Sequence, residues 1–162
     1  MDIYAFLRTH VIPFERYDHE AVFTCEQADI LPIPGDAAKT KNLFLRDRKG
    51  RRHFLVTVCA EKTVDIKELE GLLKVKGLSF ASSERLMDYL GLEAGAVTIL
   101  GVINDTRSLV EVIVDEDLWN CKAMQCHPLV NTSTLVMNRV DVERFLSLTG
   151  HEPRILPIPV RG

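Results

Sequence analysis

Residues 41–58 read KNLFLRDRKGRRHFLVTV, and this stretch decides the fold more clearly than any other. Two apolar runs, KNLFLRD and HFLVTV, flank the polar segment RKGRR. Gly50 lies in that segment and can adopt the positive φ that a tight turn often requires. The stretch therefore predicts a β-hairpin with Gly50 in its turn.

The flanking segments predict helices and strands in an irregular order. Apolar residues at helical spacing predict helices over 2–10, 65–74, 84–91 and 139–150. The runs AVTILGVI (96–103), SLVEVIV (108–114) and STLVM (133–137) predict further strands. Because there is no regular βαβα alternation, the pattern favours an α+β fold with a mixed or antiparallel sheet. A single domain spanning residues 1–162 is expected from the length.

Composition is that of an ordinary globular domain, with 162 residues, 46% hydrophobic and 27% charged. A chain of this length can bury a core without disulfide or metal support. No apolar run approaches the roughly 20 residues needed to cross a bilayer. The N-terminus lacks the basic lead and long apolar stretch of a secretory signal. We therefore expect a cytoplasmic protein that does not contact a membrane.

The cysteines give little indication of a metal site or a nucleophile. Cys25, Cys59, Cys121 and Cys126 form no CxxC pair, and the Cys121, Cys126 and His127 spacing is not a standard zinc signature. Cys126 and His127 are adjacent, and adjacent residues of a strand point to opposite faces, which argues against a catalytic dyad. We expect reduced thiols, no metal and no cofactor.

Charge is distributed unevenly along the chain. The net charge of −3 argues against non-specific binding of nucleic acid. The hairpin region nevertheless contains one acidic residue, Asp47, and seven basic residues, which are Lys39, Lys41, Arg46, Arg48, Lys49, Arg51 and Arg52. Such a patch can contact phosphates. A solvated hairpin tip would have the same composition, so both interpretations stay open.

Standard catalytic and nucleotide-binding motifs are absent: the sequence has no GxSxG, HExxH, GxxxxGK[ST] or GxGxxG. Polar residues instead stand at the ends of apolar runs, namely Lys41, Asn42, Asn104, Asp105, His127, Asn131, Thr132 and Thr134. Any one of them alone is most simply a strand-end or turn residue. Together they suggest a polar pocket at the ends of several strands.

Three segments in series resemble the YbaK/ProX family of aminoacyl-tRNA editing domains. They are KTKNLFLRDRKGRRHFLVTV (39–58), GAVTILGVIND (95–105) and CHPLVNTSTLVM (126–137). Within the family the chain is most similar to the free-standing alanyl-tRNA(Pro) deacylases, and the resemblance runs from about residue 20 to Gly150. It implies a mixed, barrel-like β-core flanked by helices. It also implies hydrolysis of the ester between an amino acid and the terminal adenosine of a tRNA.

The resemblance implies roles for individual residues. Lys41 would hold a phosphate near the terminal adenosine, and Asn42 would orient the aminoacyl end. His127 would line the aminoacyl pocket and limit its size, with Asn131 and Thr132 shaping the same wall. The backbone N–H groups of Gly95, Ala96, Val97 and Thr98 would face the reacting carbonyl. Further expected pocket residues are Ile30, Ile33, Ile99 and Gly101, and the expected tRNA contacts are Lys39, Arg46, Arg48, Lys49, Arg51 and Arg52.

In the family, a ribose hydroxyl of the terminal adenosine is thought to assist the attacking water, which agrees with the missing triad. The protein would supply positioning and oxyanion donors. The chain departs from the family's Gly–Ser–Val–Thr–Pro loop, because Ile99 stands in place of the proline. Isoleucine does not fix φ as proline does.

The expected function is removal of alanine from alanyl-tRNA(Pro). The expected partner is aminoacylated tRNA, with prolyl-tRNA synthetase or an elongation factor as further candidates. The same chemistry on cysteinyl, seryl or threonyl esters is one alternative, and a non-catalytic tRNA-binding module is another.

Overall fold

The computed structural model describes residues 2–24, 26–27 and 31–161, in which helices and strands follow each other irregularly. Two of the short helices are 3-10 turns, at Ala94–Ala96 and Ile99–Asn104. The other elements in chain order are α1 (Ile3–Thr9), β1 (Glu15–Asp18), β2 (Thr40–Arg46), β3 (His53–Cys59), α2 (Ile66–Leu73), β4 (Ser79–Phe80), α3 (Ser83–Leu90), β5 (Val110–Asp115), α4 (Glu116–Trp119), β6 (Ala123–Cys126), β7 (Ser133–Asn138), α5 (Arg139–Leu148) and β8 (Arg154–Leu156).

The larger sheet has the order β4-β2-β3-β5-β8 and is built around the predicted hairpin. Strands β2 and β3 pair antiparallel, with Thr40 opposite Cys59 and Arg46 opposite His53. Gly50 has φ +66° in the turn between them, as predicted. Strand β5 pairs parallel to both β3 and β8. The sheet is therefore mixed, and the hairpin prediction is confirmed.

A second, antiparallel sheet has the order β1-β7-β6. It meets the larger sheet just before β2, where Ala38 bridges Met124 in a parallel arrangement. The Ala38 N–H donates to the Ala123 carbonyl (2.9 Å), and the Gln125 N–H donates to the Ala38 carbonyl (2.8 Å). This junction holds the start of β2 against β6, so the residues after Cys126 lie near Lys41.

The prediction of an α+β fold is confirmed, but the prediction of a barrel-like core needs correction. The strands that the structure describes form two separate sheets, and neither closes on itself. The contact at Ala38 is a single bridge and not a continuous ladder. Barrel closure requires every strand to pair on both sides, and the strands here end in open edges.

The run AVTILGVI is not a strand, contrary to the prediction. Its residues lie in and between the two 3-10 turns. The Thr98 hydroxyl accepts from the Leu100 N–H (3.3 Å), and the Gly101 N–H donates to the Thr98 carbonyl (3.0 Å), so the segment winds into a turn. A short buried apolar run has the same composition whether it forms a strand or a helical turn. The β-branched residues of this run therefore wrongly favour a strand.

All seven residues of β3 are buried, which makes it the centre of the molecule. Alternation along the strand sends Phe54, Val56 and Val58 into one core cluster, with Leu69 and Leu73 of α2. Leu55 and Cys59 point into the other cluster, between the sheets and the remaining helices. The hairpin is thus held from both faces, which fixes the register that positions Lys41 and Asn42.

Candidate active site

A cavity of about 150 Å³ opens between the start of β2, the first 3-10 turn and the segment after β6. We name it the lysine cavity; its lining residues are Val22, Phe23, Thr24, Thr40, Lys41, Asn42, Ala94, Gly95, Val97 and His127. Five residues that the sequence singled out for catalysis, from three distant segments, meet here. They are Lys41, Asn42, Gly95, Val97 and His127.

Lys41 is the second residue of β2, opposite Val58, and its side chain is half-buried. The preceding residue, Thr40, donates its hydroxyl proton to the Gln125 carbonyl (2.6 Å) and so fixes the start of the strand against β6. The Lys41 ammonium forms no ion pair with any side chain in the described part of the chain. A half-buried cation without an internal counter-charge can attract an anionic group from outside.

Asn42 follows on the same strand and is held by a hydrogen bond within the hairpin. The buried Thr57 hydroxyl donates to Asn42 Oδ1 (2.6 Å) across the strand pair. The amide oxygen is therefore already bonded, and the Nδ2 group is the part of the side chain that can donate to a ligand.

His127 lies on the opposite wall and is held neutral by its surroundings. Its Nδ1 donates to the Ser133 carbonyl oxygen (3.2 Å). Burial lowers the pKa of His127 and nearby His19 lowers it further, whereas the bond to Ser133 opposes both. Because the Nδ1 proton is committed to Ser133, Nε2 is left as an acceptor on a neutral ring.

A second cavity of about 440 Å³ adjoins the first, and we name it the side cavity. Its lining residues are Phe23, Met87, Gly91, Glu93, Gly95, Ala96, Leu129, Val130 and Asn131. Phe23 and Gly95 therefore line both cavities. Asn131 fixes this wall through two hydrogen bonds to Val22. Its side-chain Nδ2 donates to the Val22 carbonyl (3.1 Å), and its backbone carbonyl accepts from the Val22 N–H (3.2 Å).

Several residues that the sequence assigned to the pocket lie elsewhere. Ile99 is only 1% exposed, and Gly101 is buried so closely that an added Cβ would be 2.6 Å from Leu92 Cδ1. Thr98 is fully buried. Those three side chains are part of the core, because the segment is a buried turn and not a strand end. Neither Ile33, which is half-buried, nor Thr132, which is exposed, lines either cavity, and Ile30 lies outside the described residues.

Asn104 and Asp105 are also separate from the lysine cavity. Asn104 Nδ2 donates to the Leu90 carbonyl (2.9 Å). Asp105 Oδ2 accepts from His151 Nε2 (2.8 Å) and from the Val110 N–H (2.8 Å). The idea of one polar pocket at all these strand ends is therefore wrong for this pair, whose side chains tie the second 3-10 turn to its neighbours.

The basic residues from Arg46 to Arg52 lie at the end of β2 far from Lys41, whereas Lys39 lies just before β2, near Lys41. Arg46 lies five residue steps along the extended strand from Lys41, a distance of about 17 Å. Arg52 makes two hydrogen bonds to the Glu111 carboxylate, at 2.9 and 2.8 Å, and Arg46 donates to the carbonyls of Asp47 and Arg48. Arg48 and Lys49 are exposed and line a groove that also includes Lys74 and Lys76. The tip is thus a cationic surface assembled from two segments.

Comparison with known proteins gives a consistent assignment. The profile of the aminoacyl-tRNA editing domain matches residues 19–145. The prolyl-tRNA editing protein ProX of Acetoanaerobium sticklandii is 37% identical over 140 residues, which cover 86% of this chain and 85% of that protein. The chain belongs to the aminoacyl-tRNA editing domain family. The resemblance seen in the sequence is therefore confirmed.

Other relatives of the editing domain agree. Prolyl-tRNA synthetase associated domain-containing protein 1 of Danio rerio is 35% identical over 141 residues, covering 86% of this chain and 76% of that protein. A crystal structure of a proposed trans-editing enzyme for prolyl tRNA synthetase matches with a TM-score of 0.73 at 16% identity, covering 99% of this chain and 96% of that one. At this identity the match supports the fold.

Ile99, which departs from the family loop, fits the editing domain without distortion. It is the first residue of the second 3-10 turn, directly after the Thr98 cap. Proline is favoured at such a position because its missing N–H and fixed φ cost nothing there. Isoleucine occupies the same place and buries its side chain in the core. Isoleucine therefore loses the fixed φ of proline at the start of the turn but adds a buried apolar side chain to the core.

Two further observations concern metals and membranes. Within residues 2–24, 26–27 and 31–161, no three His, Cys, Asp or Glu side chains are grouped so that they could hold a metal ion. None of the helices in those segments has the length and apolar character needed to span a membrane. Burial raises the pKa of Cys126, next to His127, to about 12, so this thiol is a core residue and a poor nucleophile.

Proposed function

We propose that this editing domain hydrolyses the ester of alanyl-tRNA(Pro) in trans. The observation that carries the proposal is the lysine cavity, where Lys41, Asn42 and His127 surround a space of about 150 Å³. In another protein a cavity of about 150 Å³ accommodates one benzene molecule. The cavity therefore admits the alanine side chain and excludes groups much larger than benzene, whereas discrimination against proline, whose ring is no larger than benzene, is assigned to the His127 wall.

Lys41 supplies the positive charge that a tRNA end requires. Its half-buried ammonium, without an internal ion pair among the described residues, would contact a phosphate beside the terminal adenosine. Holding the acceptor end here brings the ester to the cavity. Fixing the reacting groups in place can account for a large part of a rate enhancement.

The first 3-10 turn would stabilise the oxyanion that forms when water attacks the ester carbonyl. Gly95 and Val97 line the cavity, and their backbone N–H groups are the proposed donors. The Ala96 N–H is less suited than the sequence suggested, because it already donates to the Glu93 carbonyl (2.9 Å). The Thr98 residue is buried away from the cavity, so its proposed role is to cap the second turn.

Proton transfer in this proposal depends on the substrate. Two hydroxyl side chains line the cavity: the Thr40 hydroxyl donates to the Gln125 carbonyl, and the Thr24 hydroxyl accepts from the Gln27 N–H (3.1 Å). His127 Nε2 can accept a hydrogen bond, but the lowered pKa of its imidazole makes it a weak base. Assistance of the attacking water is therefore assigned to a ribose hydroxyl of the terminal adenosine. The protein positions the ester and stabilises the developing charge.

An editing enzyme is needed because a synthetase can discriminate only weakly between similar amino acids. A synthetase site built for proline cannot strongly exclude the smaller alanine, because each missing methylene changes binding by only about 1–3 kcal/mol. A second, smaller pocket that hydrolyses the wrong product restores accuracy. The substrate of this domain would be free mischarged tRNA, met in the cytoplasm alone or beside prolyl-tRNA synthetase or an elongation factor.

The substrate assignment is tested with alanyl-, prolyl-, seryl- and cysteinyl-tRNA(Pro), each followed by release of the amino acid. We expect alanine to be released fastest. Faster release of serine or cysteine would support the same hydrolytic mechanism but assign a different aminoacyl group as the substrate. Binding without release of any amino acid would instead support a non-catalytic tRNA-binding module.

His127→Ala is expected to widen the cavity and weaken discrimination by size. Removing the imidazole would let the longer prolyl group enter, so the ratio of kcat/KM for alanyl over prolyl esters should fall about tenfold or more. His10→Ala is the matched control, because His10 lies at the end of α1 beside the Phe6 ring and does not line the lysine cavity. An unchanged ratio in His127→Ala would remove His127 from the wall that sets specificity.

The double variant Lys49→Ala/Arg51→Ala is expected to weaken binding of tRNA without changing the rate at saturation. Both side chains are exposed at the hairpin tip. Each lost phosphate contact should reduce the slope of log K against log salt by about 0.9. Lys67→Ala, an exposed lysine on α2, is the control. A salt slope equal to that of the unmodified protein would mean that the tip is only a solvated surface.

A further inference from the structure

Phe23 is exposed over 70% of its surface although its backbone is firmly held. The Phe23 N–H donates to Gln27 Oε1 (2.8 Å), and both polar backbone groups of Val22 bond to Asn131. An exposed large aromatic ring on a mobile loop would need no explanation. A ring presented to solvent from a backbone that is anchored at Val22 and Phe23 is better suited to contact a ligand.

The position of the ring depends on Gly95. A Cβ added at Gly95 would lie 3.0 Å from Phe23 Cδ1 and 3.3 Å from Cε1. A larger residue at this position would push the ring outward by a few tenths of an ångström, so glycine allows the ring to pack this closely against the first 3-10 turn. The ring stands where the lysine cavity and the side cavity meet, because Phe23 and Gly95 line both.

The side cavity combines flat apolar walls with polar groups. Met87 and Val130 are both partly exposed and form apolar surface, whereas Glu93 and Asn131 contribute polar side chains. At about 440 Å³ it is within the range of small-molecule sites. Unpaired bases are recognised in proteins by stacking on aromatic rings together with hydrogen bonds to their edges.

We infer that the side cavity binds the terminal adenine of the tRNA, stacked on Phe23, while the aminoacyl group enters the lysine cavity. This inference rests on the proposed function, since it assigns the two ends of one substrate to two adjoining cavities. The ribose joins the base to the ester, so it would lie at the junction formed by Phe23 and Gly95. Glu93 can accept a hydrogen bond from the exocyclic amino group of adenine.

The test uses tRNA(Pro) in which the terminal adenosine is replaced by 2-aminopurine riboside, whose fluorescence falls when the base stacks. This base keeps the stacking surface of adenine but carries its amino group at C2, so it reports stacking on Phe23 and not the hydrogen bond to Glu93. We expect binding to the unmodified protein and to Phe23→Tyr to quench the signal, and binding to Phe23→Ala to leave it unquenched. Phe80→Ala is the matched control, because Phe80 is 59% exposed on β4, outside both cavities, and quenching should persist in it.

Kinetics provides the second readout. Loss of one stacked base contact should lower kcat/KM for alanyl-tRNA(Pro) by about 5- to 150-fold in Phe23→Ala, and Phe23→Tyr should restore most of it. The thermal midpoint should not change, because the ring is exposed.

Equal quenching by Phe23→Ala and the unmodified protein would overturn the inference, and so would equal kcat/KM. Either result leaves the proposed function intact if alanine is still released. Failure of the proposed function would be seen separately, as absence of ester hydrolysis by the unmodified protein. In that case the difference in quenching between the unmodified protein and Phe23→Ala still shows whether the side cavity binds the base.

Discussion

Lys41→Ala is expected to reduce kcat/KM for alanyl-tRNA(Pro) about 100- to 1000-fold. Lys41 is the proposed phosphate contact of the lysine cavity, and it forms no ion pair with another described residue. Losing it removes the charge that holds the acceptor end beside the oxyanion donors. Displacement of a reacting group by about 1 Å can cost a hundredfold in rate. Single-turnover hydrolysis of alanyl-tRNA(Pro) measures the loss.

The same variant should remain folded, which distinguishes a functional lysine from a structural one. The Lys41 side chain is half-buried, and its backbone pairs in the hairpin whatever the side chain. We expect the thermal midpoint of Lys41→Ala to stay within a few degrees of the original. Lys41→Met keeps the apolar stem and should be as inactive. A large fall in the thermal midpoint of both variants would mark Lys41 as structural.

Asp105→Ala is expected to destabilise the fold by about 2–5 kcal/mol, because two buried hydrogen-bond donors lose their acceptor. The buried carboxylate accepts from the backbone N–H groups of Leu109 (3.1 Å) and Val110 (2.8 Å) and from buried His151 (2.8 Å). Truncation leaves the Val110 N–H and His151 without their partner in the interior, and burying an unpaired donor costs more than the intact hydrogen bond contributes. Denaturant unfolding followed by circular dichroism measures the difference.

The control for this prediction is Asp88→Ala. Asp88 is an exposed carboxylate that lines the same shallow cleft as Asp105. Its removal should change stability by less than about 0.5 kcal/mol, as is usual for surface positions. Folded Asp105→Ala protein should keep its deacylation rate per molecule, because Asp105 does not line the lysine cavity. A stable but inactive Asp105→Ala variant would instead return Asp105 to the active site.

The hairpin and the helix ends could be predicted because their causes are local. Gly50 marks a turn between two apolar runs, and Ser82 caps α3 by accepting from the Arg85 N–H (3.2 Å). Gly91 ends that helix in the left-handed conformation, with φ +63°. Each signal lies within a few residues of the feature that it predicts.

Features that depend on distant partners could not be predicted in this way. Asp105 gains its structural role from His151, 46 residues away, so its polar side chain at a strand end looked like a pocket residue. The apolar run 96–103 is wound into turns because Thr98 and Gly101 are buried in the core, which its composition does not reveal. Open sheet edges are likewise a property of the whole fold.

The candidate site was only partly accessible from the sequence. Polar residues at the ends of apolar runs predict a shared pocket, and Lys41, Asn42 and His127 do line one cavity, but their individual roles follow only from the resemblance. Phe23 gave no signal, because an aromatic residue in an extended segment is ordinarily a core residue. Its exposure becomes meaningful only beside Gly95, which is distant in sequence.

Hydrolysis of alanyl-tRNA(Pro), measured under single turnover beside prolyl-tRNA(Pro) as the correctly charged control, tests the central claim most directly. The lysine cavity predicts release of alanine well above the spontaneous rate, little release of proline, and loss of the alanine activity in Lys41→Ala. Release of both amino acids at the spontaneous rate, by folded protein that binds the tRNA, would contradict it.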